Sequence, residues 1–146
     1  MTTLNMQGLS DKPKPVVGRK KWYFIMVTKI LLVEDHPELR DILQGRIEGM
    51  GFTTITAKNG REGVDTAVAE KPDLILMNSI MPEMDGWEAT KLLRSNPETK
   101  DIPILAATAL FRPSHLEAWL DVGCNDYILK PFTMDELSRK IRALIG

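Results

Sequence analysis

The stretch Asp73-Leu74-Ile75-Leu76-Met77-Asn78-Ser79-Ile80-Met81-Pro82-Glu83-Met84-Asp85-Gly86 decides how the chain is read. Leu74 to Met77 is a short, unbroken apolar run between Pro72 and a loop rich in Met, Pro and Gly. Such a run predicts a strand buried on both faces, as in the middle of a parallel sheet. Asn78 falls where that strand ends. In open parallel sheets, ligands and chemistry lie just beyond the carboxyl ends of the strands, so a polar side chain there is a functional candidate.

The same pattern repeats on either side. Ile30 to Val33 is an apolar strand ended by Glu34 and Asp35, and Pro37 suits the first turn of a helix carrying Leu39, Ile42, Leu43, Arg46 and Ile47 at helical spacing. Gly49 and Gly51 stop that helix. Phe52 to Ala57, rich in threonine, is a second strand. Asn59-Gly60 reads as a turn before a short helix to about Glu70 that turns Val64, Ala67 and Val68 inward. After the central strand, a helix spans Trp87 to Arg94 and Asn96-Pro97 breaks it. Ile102 to Ala107 is the fourth strand, ending at Thr108. Pro113 to Val122 is a helix closed by Gly123. Tyr127 to Leu129 is the fifth strand, ending at Lys130-Pro131. Thr133 and Glu136 stand at capping-box spacing at the head of the last helix, whose stripe is Leu137, Ile141 and Leu144. Five strands alternating with five helices predict an α/β domain with a parallel sheet covered on both faces.

The chain has 146 residues, enough for one domain with a real core. Its net charge of −1 does not suit a nucleic-acid binder, yet it is unevenly spread. Residues 1–25 hold five basic side chains and one acid, whereas the remainder holds 14 basic and 19 acidic ones. The single cysteine, Cys124, excludes an internal disulfide and fits a reducing cytosol. No apolar run approaches the roughly 18 to 20 residues of a membrane span. Residues 1–27 are expected to form a basic arm and residues 28–146 the domain. Within the arm, residues 1–21 lack periodicity, while Trp22, Tyr23 and Phe24 offer a docking patch for a partner. Met26 would itself make a start, so the arm is a true extension, added sequence or a misassigned beginning.

Four strand ends therefore carry polar groups: Glu34 with Asp35, Asn78, Thr108 and Lys130. Paired carboxylates seat a hard divalent cation such as magnesium. A lysine offers a mobile charge to a phosphoryl oxygen and a threonine hydroxyl offers one donor more. The set describes a phosphoryl-binding site built from side chains, and no glycine-rich phosphate loop accompanies it. Other polar residues have plainer roles. Asp85 is a turn residue before Gly86, His36 a solvated loop side chain at the mouth of the site, and His115 an exposed helix residue. Trp87 and Trp119 belong to the core or its edge, and Cys124 is buried and inert.

The motifs Ile30-Leu31-Leu32-Val33-Glu34-Asp35, Met81-Pro82-Glu83-Met84-Asp85-Gly86, Thr108-Ala109 and Asp126-Tyr127-Ile128-Leu129-Lys130-Pro131-Phe132 resemble those of a response regulator receiver domain of two-component signalling. The resemblance runs from about Lys29 to Ile145. It implies a flavodoxin-like (βα)5 doubly wound sheet of strand order 2-1-3-4-5, and a signalling module rather than an enzyme. It implies a phosphoacceptor at position 78, magnesium held by Glu34, Asp35 and the Ile80 carbonyl, Thr108 as switch hydroxyl, Lys130 as the phosphoryl contact and Tyr127 as the coupled aromatic. It also implies a cis Lys130-Pro131 bond. The implied partners are a histidine kinase or histidine phosphotransfer protein, and an output protein docking on the fourth helix, fifth strand and fifth helix. A cytoplasmic setting follows, with no direct contact to nucleic acid or membrane.

Asn78 departs from that pattern, because the family's acceptor is an aspartate. An amide nitrogen is a very weak nucleophile, its lone pair being delocalised into the carbonyl. The amide removes one negative charge, which weakens magnesium binding and relieves repulsion among the acids. It can also donate a hydrogen bond, to Thr108 or Glu34. Two accounts fit a single change of this kind: an acceptor replaced to block phosphorylation, or a natural pseudo-receiver. The matching functions are a single-domain phosphorelay receiver that is blocked at position 78, and a phosphate-independent interaction module held in one conformer.

Overall fold

The computed structural model describes residues 28–81, 83–109 and 112–146. The expected basic arm and its aromatic patch lie outside them. Five strands alternate with five helices: β1 (Lys29–Val33), α1 (Pro37–Gly49), β2 (Thr53–Ala57), α2 (Gly60–Glu70), β3 (Leu74–Asn78), α3 (Gly86–Ser95), β4 (Ile104–Thr108), α4 (Pro113–Val122), β5 (Asp126–Leu129) and α5 (Met134–Ile145). The strands form one parallel sheet of order β2-β1-β3-β4-β5. This is the flavodoxin-like architecture expected from the alternation and the resemblance together.

Each strand sends successive side chains to opposite faces, and both faces are dry. Leu31, Val33, Ile75, Met77, Ile104 and Ala106 meet Ala67, Ala89, Leu93 and Trp119 from α2, α3 and α4. The alternate residues Ile30, Leu32, Leu74, Leu76, Leu105 and Ala107 meet Leu43, Ile47, Leu137 and Ile141 from α1 and α5. All five residues of β3 and all five of β4 are buried. That is why these strands read as continuous apolar runs rather than as alternations.

Local chemistry corrects the sequence reading at several boundaries. Asn59-Gly60 is not a free turn: Asn59 caps α2, its side chain accepting from Glu62 N at 2.8 Å, and Gly60 is the first helical residue. Gly60 must be glycine because an added Cβ would collide with the Met84 carbonyl, which accepts from Gly60 N at 3.0 Å. Asp85 likewise caps α3 through Glu88 N at 2.9 Å, so it is a helix start as much as a turn. The second strand starts at Thr53, one residue after Phe52, which is buried. The fourth starts at Ile104 rather than Ile102, because Pro103 has no N–H to give the ladder.

The helices differ from expectation at two points. Ile42, placed on the apolar face of the first helix, is 56% exposed. Thr133 accepts from Glu136 N at 3.1 Å, but the reciprocal half of the capping box is not made among the described residues. Gly123 closes α4 with φ of 122°, the left-handed region where glycine is at ease. Trp87 and Trp119 stack edge to face at 5.3 Å between centroids, Trp119 in the core and Trp87 half-buried. His115 is exposed and the Lys130–Pro131 bond is cis, both as expected.

Candidate functional site

The strand order reverses direction beside β1, whose neighbours β2 and β3 leave it on opposite sides. The crevice this opens at the carboxyl ends of β1 and β3 is where an open parallel sheet places its chemistry. Glu34 follows β1 directly and is only 3% exposed. Its N–H extends the ladder to Ala57 O at 3.0 Å, and its carbonyl accepts from Arg40 Nη1 at 2.9 Å. Its Oε2 accepts from His36 N at 3.1 Å. Burial raises the Glu34 pKa above the ordinary carboxylate range. The His36 N–H and Lys130 pull it down, while the neighbouring Asp35 pushes it up.

Asn78 ends β3 and is 7% exposed. Its Nδ2 donates to Glu34 Oε2 at 3.2 Å, Asp35 Oδ1 at 3.0 Å and the Ile80 carbonyl at 3.1 Å. Its Oδ1 accepts from Lys130 Nζ at 2.6 Å. An ammonium group only donates, so the atom facing it must be the amide oxygen. That fixes the NH2 toward the three acceptors. The reverse orientation would set NH2 against NH3⁺ and oxygen against oxygen.

The β3–α3 connection is held tightly to the sheet. Ser79 N donates to Ala107 O at 3.1 Å and Gly86 N to Ser79 O at 3.0 Å. Gly86 lies against the backbone carbonyl of Asn78, which an added Cβ would strike. Met81 and Met84 are buried beneath this connection, whereas the Ile80 side chain is 70% exposed and only its carbonyl turns inward. Lys130 follows β5, and its N–H donates to Thr108 O at 2.9 Å.

Of the residues picked out at the strand ends, Glu34, Asp35 and Lys130 converge on Asn78. Glu34, Asp35, Ile80 and Lys130 all meet the side chain of Asn78. Thr108 stands one position beyond Ala107, the cross-strand partner of Asn78, with its side chain buried. Tyr127 pairs with Ala106 in β5, half-buried, with Lys140 Nζ 5.3 Å from its ring centroid. Beside the network a cleft of about 500 Å³ runs between α1 and the Lys130–Met134 segment. Its lining combines Glu34, Asn78, Lys130 and Arg46 with the apolar Leu39, Phe132 and Met134.

Sequence reasoning missed three parts of this arrangement. His36 is exposed, as expected, but it is also the N-cap of α1, its Nδ1 accepting from Leu39 N at 3.5 Å. Its position before Pro37 at the first helical turn was the available signal. Arg40 reaches back to the Glu34 carbonyl, and nothing in the helical spacing marks that bond. The third is the demand for glycine at 86. As to metals, the oxygens of Glu34, Asp35 and Ile80 suit a hard cation by chemistry. All three already accept from one amide nitrogen, and among the described residues no group of three or more His, Cys, Asp or Glu is arranged to hold a metal.

Comparison with known proteins finds matches of three kinds: a family model, curated relatives and solved structures. The family model "Response regulator receiver domain" matches residues 30–142. Response regulator MprA of Mycolicibacterium vanbaalenii is 37% identical over 120 residues, covering 82% of this chain and 51% of that protein. The DNA-binding dual master transcriptional regulator RpaA of Synechocystis is 34% identical over 117 residues, covering 80% of this chain and 48% of that one. The chain thus spans about half the length of these curated relatives. Among solved structures, the Vibrio cholerae chemotaxis protein CheY4 superposes with a TM-score of 0.77 at 28% identity, covering 81% of this chain and 98% of that one. The receiver domain of the Pseudomonas aeruginosa sensor histidine kinase PA1611, described with a magnesium ion in its active-site cleft, superposes with a TM-score of 0.76 at 33% identity, covering 82% of this chain and 98% of that one.

Proposed function

The chain belongs to the response regulator receiver domain family, and from that premise we propose that it is a two-component receiver that signals by protein contact and takes no phosphoryl group at position 78. One observation carries this reading: Asn78 occupies the end of β3, between the acids that follow β1 and the lysine that follows β5. That is the acceptor's place in the family pattern, filled by a side chain whose nitrogen cannot attack phosphorus. In this reading Glu34, Asp35 and the Ile80 carbonyl stand where a receiver holds magnesium, and the Asn78 amide works against binding of the ion there. Lys130 is the phosphoryl contact, Thr108 the switch hydroxyl and Tyr127 the aromatic coupled to it.

The upstream partner in this reading is a histidine kinase or histidine phosphotransfer protein. The downstream partner docks on α4, β5 and α5. That face exposes Leu120 to 45% and Leu129 to 38%, which supports contact with another protein there. Asn78→Asp should accept phosphate from acetyl phosphate with magnesium, and the Asn78 protein should not. Absence of labelling in Asn78→Asp, or labelling of the Asn78 protein at that position, would defeat the proposal.

The Asn78 network also favours a second reading, an interaction module fixed in one conformer without phosphate. A single side chain ties together the segments that follow β1, β3 and β5. Equal partner affinity for the Asn78 protein and phosphorylated Asn78→Asp would select this module. Tighter binding by the phosphorylated form would select a blocked switch.

A further inference from the structure

Glu34 Oε2, Asp35 Oδ1 and the Ile80 carbonyl come from two separate segments, and all three point at one atom, Asn78 Nδ2, at 3.2, 3.0 and 3.1 Å. Loss of one negative charge would weaken a magnesium site without blocking it. The geometry goes further. The nitrogen brings two protons and no free lone pair, so a cation approaching these oxygens meets N–H hydrogens. The side chain cannot easily turn aside. It is 7% exposed, and Lys130 Nζ holds its other end at 2.6 Å. Turning the amide over would place its NH2 against that ammonium. The three oxygens match magnesium in type but are not available to it.

We propose that the Asn78 amide is a built-in replacement for the divalent cation, gathering the oxygens of Glu34, Asp35 and Ile80 as a metal would and excluding the metal from them. The inference rests on the reading of those three residues as the receiver's metal-holding set. It makes the assembled site of this protein independent of magnesium. Charge loss and occupation by the amide separate cleanly in Asn78→Ala, which has the same formal charge as the Asn78 protein but no N–H to offer.

The test is calorimetric titration with magnesium chloride of the Asn78 protein, Asn78→Ala and Asn78→Asp, with thermal midpoints measured with and without millimolar magnesium. The Asn78 protein should give no binding heat and an unchanged midpoint. Asn78→Ala should give a measurable binding heat, with an affinity at least about tenfold above the detection limit that the Asn78 protein falls below, because its oxygens are released. Asn78→Asp should bind tightest and gain stability with the ion. Equal affinity in Asn78→Ala and the Asn78 protein would overturn the proposal, as would magnesium binding by the Asn78 protein as tight as that of Asn78→Asp.

If Asn78→Ala does not fold, the side-chain amide proton resonances of Asn78 in the unsubstituted protein decide. Signals unmoved by magnesium support the replacement, and a saturable shift overturns it. The functional reading fails separately: Asn78→Asp that binds magnesium yet takes no phosphate defeats the phosphorelay assignment and leaves the cation replacement standing. Failure of Asn78→Asp to bind magnesium removes the premise and with it this proposal.

Discussion

At the scale of single residues, burial sets the chemistry of two enclosed ionisable groups, Glu34 and Cys124. Burial raises the Glu34 pKa, and one carboxyl oxygen, Oε2, accepts from both His36 N and Asn78 Nδ2. Cys124 is 5% exposed, and burial, reinforced by Asp126, raises its thiol pKa from 9.0 to about 11. The sign follows from linkage. Below pH 9 the thiol is neutral folded and unfolded, and above it the unfolded chain ionises first. Stability should therefore fall between about pH 9 and about 11 more steeply than in Cys124→Ala, measured by urea titration at each pH. Parallel curves would show that Cys124 is not held neutral by the fold. The inert, buried character of this residue was legible from its place after Gly123. Donation from the Asn78 amide to Glu34 was one of the two options legible in the sequence, but the turning of its oxygen onto Lys130 was not, because that depends on which charged group stands behind the side chain.

At the scale of elements, the junction between α3, β4 and β5 depends on Arg94. Its Nε donates to Gly123 O at 2.8 Å, and its Nη1 donates to Ile102 O at 2.8 Å and Lys100 O at 3.0 Å. Its Nη2 donates to Asn125 Oδ1 at 2.8 Å, the same atom that receives Ile104 N at 2.8 Å. One planar guanidinium thus fixes the end of α4, the start of β4 and the approach to β5. Its partial burial lowers its pKa, with Cys124 and Asp101 opposing that shift. Arg94→Ala should cost about 2–4 kcal/mol, since it leaves inward-facing carbonyls without a donor. Arg94→Lys should recover less than half of that, because an ammonium cannot serve the same fan of acceptors. Urea midpoints of the two variants measure both effects. The role of Arg94 at the end of α3 is not legible in the helical spacing, for its partners lie up to 31 residues away.

At the scale of the whole molecule, the sheet is graded from a dry middle to half-wet edges. All residues of β3 and β4 are buried, and β1 is buried after Lys29. In the edge strands, β2 is buried only at Ala57 and β5 only at Ile128. Local opening begins where few apolar contacts and exposed hydrogen bonds coincide. Hydrogen exchange should therefore be slowest for amides of β1, β3 and β4 and faster by at least about tenfold in β2 and β5. Uniform protection across the sheet would contradict this gradient. Partner docking on α4, β5 and α5 should slow exchange in β5 first, which makes the same measurement a test of the proposed output face.

The sequence by itself determined the number and order of the elements, the two-faced burial of the central strands and the four strand ends where polar groups gather. Those properties follow from local periodicity and from turn and capping residues, which act over a few positions. Tertiary structure decided that Ile42 lies in solvent, that Asn59 and Asp85 cap helices, and that Arg94 joins three elements. It also decided that one amide nitrogen is shared by three oxygens while a lysine holds its oxygen. A hydrogen bond has a direction as well as a pair of residue types. That direction is set by atoms brought together from distant parts of the chain, which no spacing along it encodes.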